Sequence, residues 1–159
     1  LLNRYLGKMT EIIMDFSGTI DEFLGDAVLA VFGAPRAGDD DAERAVQCAI
    51  AMQRAMADIN QENVADDLPT LHMAIAINTG MVVAGNIGSE RRSKYGFVGH
   101  EMNVTSRIED VAKPGQILIS ASTLDKLHTH YDVEEGQLIR AKGLKGDVLV
   151  HAIRGQAGD

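Results

Sequence analysis

The stretch from Thr19 to Pro35, TIDEFLGDAVLAVFGAP, sets the tightest limit on what this chain can fold into. Two short runs rich in Ile, Val, Leu and Phe meet at Gly25-Asp26, and glycine supplies the positive φ that a tight hairpin turn needs. The stretch therefore predicts an antiparallel hairpin with Asp26 at its tip. A carboxylate at a turn relieved by glycine can approach a phosphate-bound metal ion closely. Strand alternation puts Glu22 on one face with Ile20 and Leu24, a face expected to be half-buried. An ionised carboxylate there is costly unless paired, so Glu22 calls for a specific donor. The spacing also allows two plainer readings, with Asp26 a simple turn residue and Glu22 at a solvated edge.

Before the hairpin, Leu2, Leu6, Met9 and Ile13 recur at helical spacing and predict a helix over Leu1 to Asp15, ended by Ser17-Gly18. That helix begins without Ser, Thr, Asp or Asn as an N-cap, so a preceding segment is expected. After the hairpin, Asp39, Asp40 and Asp41 lead into apolar residues at helical spacing, which predicts a long helix from about Asp40 to Asn60. The acidic run is better suited to capping free N–H groups and complementing the helix dipole than to a metal cluster. Leu71 to Asn78 and Met81 to Ile87 predict a second hairpin around Thr79-Gly80. Further strands are expected over Lys94 to Val98, Gln116 to Ser120, Tyr131 to Ile139 and Asp147 to Ile153, with helices over Glu101 to Ala112 and Ala121 to His128.

On the helix beginning at Glu101, Asn103 and Arg107 are four apart and share one face. A neutral amide beside a planar fork of donors suits a ribose or a phosphoryl group, although a surface pair bonded to each other or to water fits the same spacing. Lys142 and Lys145 flank a Gly-rich turn where an amine could reach a phosphate, as exposed turn lysines also do elsewhere. His128 and His130 lack a third ligand and read as surface residues. Neither GxxxxGK nor GxGxxG is present, so any nucleotide must be held differently from those motifs.

Length and charge narrow the partners. A chain of 159 residues fits one domain. A net charge of -8 argues against a nucleic-acid partner, which would call for a basic patch. No apolar run approaches the roughly 20 residues of a membrane span and no signal peptide is visible, so this segment is expected to make no direct membrane contact. A cytoplasmic location is expected, either free or as the cytosolic part of a larger membrane-attached protein. The single cysteine, Cys48, cannot form an internal disulfide and reads as a small core residue in a reducing compartment.

Together, FLGDAVLAVFGAP, GDDDAERAVQCA, AINTGMVVAGNIGSERRSKYGFVGHEMNVTSRIE, KPGQILIS and AKGL resemble the catalytic domain of class III nucleotidyl cyclases, in the family's order from Leu1 to about Arg154. The resemblance implies a catalytic domain over residues 1–154 with 155–159 as a tail. The implied fold is α/β (α+β), a mostly antiparallel sheet with flanking helices, ferredoxin-like and related to polymerase palms. The implied reaction cyclises a nucleoside triphosphate to a 3′,5′-cyclic monophosphate and releases pyrophosphate, using two divalent cations, Mg2+ or Mn2+. By that resemblance Asp26 matches the second metal-binding aspartate; the first falls in a strand before Leu1. Arg107 and Asn103 match the transition-state pair, and Lys142 matches the lysine that neutralises the terminal phosphates. The sites are expected to be shared across a homodimer, with Glu22, Gly96, Asn103, Arg107 and Lys142 of one protomer facing Asp26 of the other.

Substrate choice follows from the same resemblance. Members that use ATP usually carry Lys where this chain has Glu22, and Asp or Thr where it has Gly96. A carboxylate at Glu22 can accept from guanine N1–H and its exocyclic amine, which adenine cannot offer. The pattern resembles a cyanobacterial guanylyl cyclase, with GTP as substrate. Animal guanylyl cyclases usually pair the Glu with Cys rather than Gly, and His100 stands where many members have Asp. An ATP cyclase with unusual base recognition, or a non-catalytic nucleotide-binding or dimerisation module, are the alternatives.

Overall fold

Thr19–Leu24 (β1) and Ala27–Val31 (β2) form the expected antiparallel hairpin, turned by Gly25 at φ +65°. The computed structural model describes residues 2–34, 36–87, 94–140 and 146–156. The hairpin is a two-stranded sheet of its own and rests on two helices. One is α1 (Leu2–Asp15) and the other is α2 (Asp41–Ala65). Met9, Ile12 and Ile13 of α1 meet Cys48, Ala55, Met56 and Ile59 of α2, and the hairpin adds Ile20, Val28, Ala30 and Phe32 to this core. Removing such side chains from water stabilises the fold by about 2 kcal/mol each. Cys48 sits inside this core as expected, and burial pushes its thiol up to about 12.

The largest sheet runs β3 (Ile75–Ile77), β6 (Ile117–Ser120), β9 (Val148–Gln156) and β7 (Tyr131–Val133), with β8 (Gln137–Ile139) also paired to β9. All of its pairings are antiparallel except β3 with β6. Every residue of β6 is buried. The reason is that both faces of the strand are covered. Ile117 and Ile119 meet Val46 and Ala49 of α2, whereas Leu118 meets Val104 and Ile108 of α3 (His100–Val111). A third small sheet pairs β4 (Val83–Ile87) with β5 (Lys94–Val98). The last helix, α4 (Ala121–Leu124), is shorter than its sequence suggested, and Ser120 caps it by accepting from Thr123 N.

Two expectations need correction. Residues 71–78 and 81–87 do not form a hairpin, because β3 pairs in parallel with β6 and β4 pairs with β5. Asn78 and Gly80 explain the difference. The Asn78 amide donates to the backbone oxygen of Glu101 and, at 3.0 Å, to its Oε2. A Cβ at Gly80 would collide with the Glu101 side chain. Asn-Thr-Gly thus carries the chain past α3 to another sheet instead of turning it back. The predicted strand over 131–139 is likewise split into β7 and β8. At the break, His151 and Leu149 lie over Gly136 and leave no space for a side chain.

The acidic run also departs from simple capping. Asp40 is the N-cap of α2 but makes no side-chain cap bond. It pairs with Arg44 at 3.2 Å, and Asp41 pairs with Arg44 at 2.6 Å while accepting from Gly38 N. Beside them Glu43 is buried, accepting from the backbone N–H groups of His128 (2.7 Å) and Thr129 (3.0 Å) and from the Tyr131 hydroxyl. Burial alone would raise its pKa, but these donors outweigh burial and hold it below the ordinary value of 4.5. A depressed carboxylate stabilises the fold above its unfolded pKa, and that contribution fades as pH falls through the folded value. Glu43→Gln is therefore expected to cost about 1–3 kcal/mol at neutral pH. Urea unfolding at pH 7 and below pH 4.5 checks this, and a difference from wild type that does not narrow in acid would refute it.

Candidate functional site

The hairpin is built differently from plain alternation, and this changes where Glu22 lies. Ile20 pairs with Ala30, yet Glu22 pairs with Leu29, so Asp21 is an extra residue in β1. A bulge of this kind switches the following side chain to the opposite face. Ile20 joins Ala30 on the core side, and Glu22 joins Leu24 on the far side. The expected common face for Ile20 and Glu22 is thereby overturned. Glu22 is half-buried, and the cost of burying its charge is limited by that placement. Asp21 itself, which no sequence pattern singles out, has a buried Oδ1 without a hydrogen-bond partner.

Asp26 follows Gly25 in the turn and is exposed. Among the described residues it takes part in no hydrogen bond or ion pair, which leaves its oxygens open to a ligand. Its charge reaches α1: the Tyr5 hydroxyl is raised first by burial and then by Asp26.

The other candidates lie on β5 and α3. Gly96 is buried and stands directly opposite Gly85 across the β4–β5 pair, so two neighbouring positions lack side chains. Gly99, at φ +142°, turns the strand into α3. Helical periodicity then divides that helix: Val104 and Ile108 are buried, while Asn103 and Arg107, one residue before each, are exposed together. Arg107 pairs with Asp110 at 3.3 Å in a half-exposed contact, worth under about 1 kcal/mol and easily exchanged for a phosphate. The first turn of α3 is held by Asn78 and by the Thr105 hydroxyl, which donates to the Glu101 backbone oxygen. His100 lines a cleft of about 330 Å³ with Asn78, Thr79, Glu101, Ser122 and Asp147.

The structure thus groups Glu22 with Asp26 on the hairpin, and Gly96 with Asn103 and Arg107 on β5–α3. Among the described residues, Asp26 is joined to neither Asn103 nor Arg107 by a hydrogen bond or ion pair. Lys142 lies outside the described residues. Among those described, no three or more His, Cys, Asp or Glu side chains gather as a ready-made metal site, and no helix is long and apolar enough to cross a membrane.

The model of the adenylate and guanylate cyclase catalytic domain matches residues 1–155. The structure of the guanylyl cyclase Cya2 superposes with a TM-score of 0.92 at 46% identity, covering 99% of this chain and 80% of that one. The adenylyl cyclase CyaB from P. aeruginosa superposes with a TM-score of 0.91 at 33% identity, covering 99% and 82%. Adenylate cyclase 1 of Rhizobium meliloti is 34% identical over 113 residues, 71% of this chain and 17% of that protein. The chain spans about a fifth of the length of the curated relatives it matches. These likenesses agree with the mixed architecture of antiparallel strands and flanking helices described above.

Proposed function

This chain belongs to the family of adenylate and guanylate cyclase catalytic domains, and from that membership we propose that it is a guanylyl cyclase, converting GTP to 3′,5′-cyclic GMP and pyrophosphate at sites shared by a homodimer. The observation that carries the choice of base is the pairing of a carboxylate, Glu22, with a buried position free of any side chain, Gly96. Glu22 accepts from guanine N1–H and the exocyclic amine. Gly96 leaves space at the guanine O6, where a carboxylate would repel. The 46% identity to a structure named as a guanylyl cyclase agrees with this reading.

In the reaction the ribose 3′-oxygen attacks the α-phosphorus, the bond from that phosphorus to the bridging oxygen breaks, and pyrophosphate leaves with the electron pair. Asn103 orients the ribose. Arg107 meets the charge that grows on the α-phosphoryl oxygens, and Lys142 neutralises the terminal phosphates. The family uses divalent metals, and Asp26 suits one ligand: it is exposed, unbonded among the described residues and set in a glycine turn. Two such cations, Mg2+ or Mn2+, would ease ionisation of the 3′-hydroxyl and offset charge on the triphosphate. Glu22, Gly96, Asn103, Arg107 and Lys142 of one protomer act with Asp26 of the other.

The test is product formation by the domain with its native preceding segment restored, given GTP or ATP separately with each cation. Cyclic GMP as dominant product is expected. Dominant cyclic AMP would overturn the base assignment while keeping the family, and no product with either would favour a nucleotide-binding module.

A further inference from the structure

Arg44, in the first turn of α2, has no place in the chemistry above, yet it makes the densest set of polar contacts on the described residues near the hairpin. Its NH1 donates to the backbone oxygens of Phe16 (2.8 Å) and Ser17 (3.2 Å), three and two residues before β1 begins. Its guanidinium lies 5.7 Å from the ring centroid of Phe32, the residue that follows β2. Its Nε pairs with Asp40 and its NH2 with Asp41, both on the same helix turn. Asp41 in turn lies against Gly33, where any side chain would collide with its carboxylate. Both legs of the hairpin are therefore fastened to one helix turn, and the Thr19 hydroxyl closes the base by donating to Ala34 O. The Arg44 side chain is only 24% exposed, and its bonds to Phe16 and Asp41 are partly buried, whereas Asp40 is 66% exposed.

The hairpin needs such a fastening because it pairs with no other strand among the described residues. Ile20, Val28 and Ala30 rest its inner face on the α1–α2 core, but its tip is exposed, with Phe23 52% and Leu24 54% accessible, so the contacts at its base add the second constraint on its angle. A strand of 6 residues reaches about 20 Å, and a tilt of about 5° at the base moves the tip by about 2 Å. A metal ligand must be held to within about 0.5 Å. We propose that Arg44 is a positioning residue that fixes the tilt of the β1–β2 hairpin, and so delivers Asp26 to the metal-bound triphosphate. The proposal rests on the reading of Asp26 as a metal ligand, and it assigns a task to a residue 18 positions beyond it in the chain.

The test compares Arg44→Met and Arg44→Lys with Glu43→Gln, whose side chain serves the 128–131 segment instead. Two readouts are needed: hydrogen exchange of the hairpin amides in the metal-free full chain, and the Mn2+ concentration giving half-maximal cyclic GMP formation. Arg44→Met is expected to speed exchange over residues 19–31 by about tenfold or more and to raise the Mn2+ requirement by about fivefold to tenfold, with KM for GTP within about twofold. Arg44→Lys, which keeps the charge but loses the fork, is expected to fall between Arg44→Met and wild type. Glu43→Gln is expected to lower Tm without either change. Equal effects from Glu43→Gln at matched Tm, or an Arg44→Met protein with unchanged exchange and Mn2+ dependence, would overturn the proposal. If the wild-type protein forms no cyclic nucleotide, the guanylyl cyclase reading falls and hydrogen exchange alone decides whether Arg44 sets the hairpin.

Discussion

An Asp26→Ala chain mixed in equal amount with an Arg107→Ala chain is expected to recover about a quarter of wild-type turnover, although each alone falls by about 10³-fold. The loss on either side follows from the chemistry assigned to each group. Without Asp26 the cation loses an anchoring carboxylate, and without Arg107 the charge on the α-phosphoryl oxygens meets no fork of donors. Both residues are exposed and neither holds the core, so Tm should change little in either variant. The recovery follows from the proposed sharing of each site between protomers. Random pairing makes half of the dimers mixed, and each mixed dimer has one site with Asp26 and Arg107 both intact and one site with neither. Half of the dimers with half of their sites gives the quarter. Turnover of cyclic GMP measured against mixing ratio checks this, after the chains have been co-refolded. Turnover that stays at the level of the single variants would mean that Asp26 and Arg107 act within one protomer.

The hairpin and α3 were legible in the sequence because each is announced locally. Gly25-Asp26 between two β-prone runs needs no distant information, and the spacing of Val104 and Ile108 fixes which side of α3 leaves Asn103 and Arg107 exposed. What escaped the sequence depends on partners far along the chain. Asn-Thr-Gly at 78–80 has turn chemistry, and only the presence of Glu101 against Gly80 makes it a crossover. Arg44 reads as an ordinary helix residue until Phe16 and Ser17 are brought to it. The Asp21 bulge leaves no mark in the strand's alternation, since an inserted residue in one strand shows only when its partner's register is known. Lys142 stands on motif resemblance alone, because it lies outside the described residues.

That bulge bears directly on the second large effect, a change of substrate. Glu22→Lys is expected to reduce the preference for GTP over ATP by about tenfold to a hundredfold, and the pair Glu22→Lys with Gly96→Asp to reverse it. A carboxylate facing adenine has no N–H to accept from, and leaving it unmatched costs about 1–3 kcal/mol. Lysine at the same place donates to adenine N1 and repels no group on that edge. Asp at position 96 then accepts from the adenine amino group, while guanine would present its O6 to a second carboxylate. In the proposed site the two positions read one base, so their effects should not simply add. Glu22 lies on the hairpin face turned away from the α1–α2 core, so exchanging it leaves the packing of Ile20, Val28 and Ala30 in place. Gly96 faces Gly85, so a new side chain at 96 has no cross-strand side chain to displace. Removing the extra residue Asp21 gives the complementary control, because Glu22 would then follow Ile20 directly and keep both its Leu29 partner and the face opposite Ile20. That deletion is therefore expected to keep the preference for GTP. The ratio of kcat/KM for GTP to that for ATP, taken for wild type, both substitutions and the deletion, decides it; a ratio unmoved by Glu22→Lys would place base recognition elsewhere in the chain.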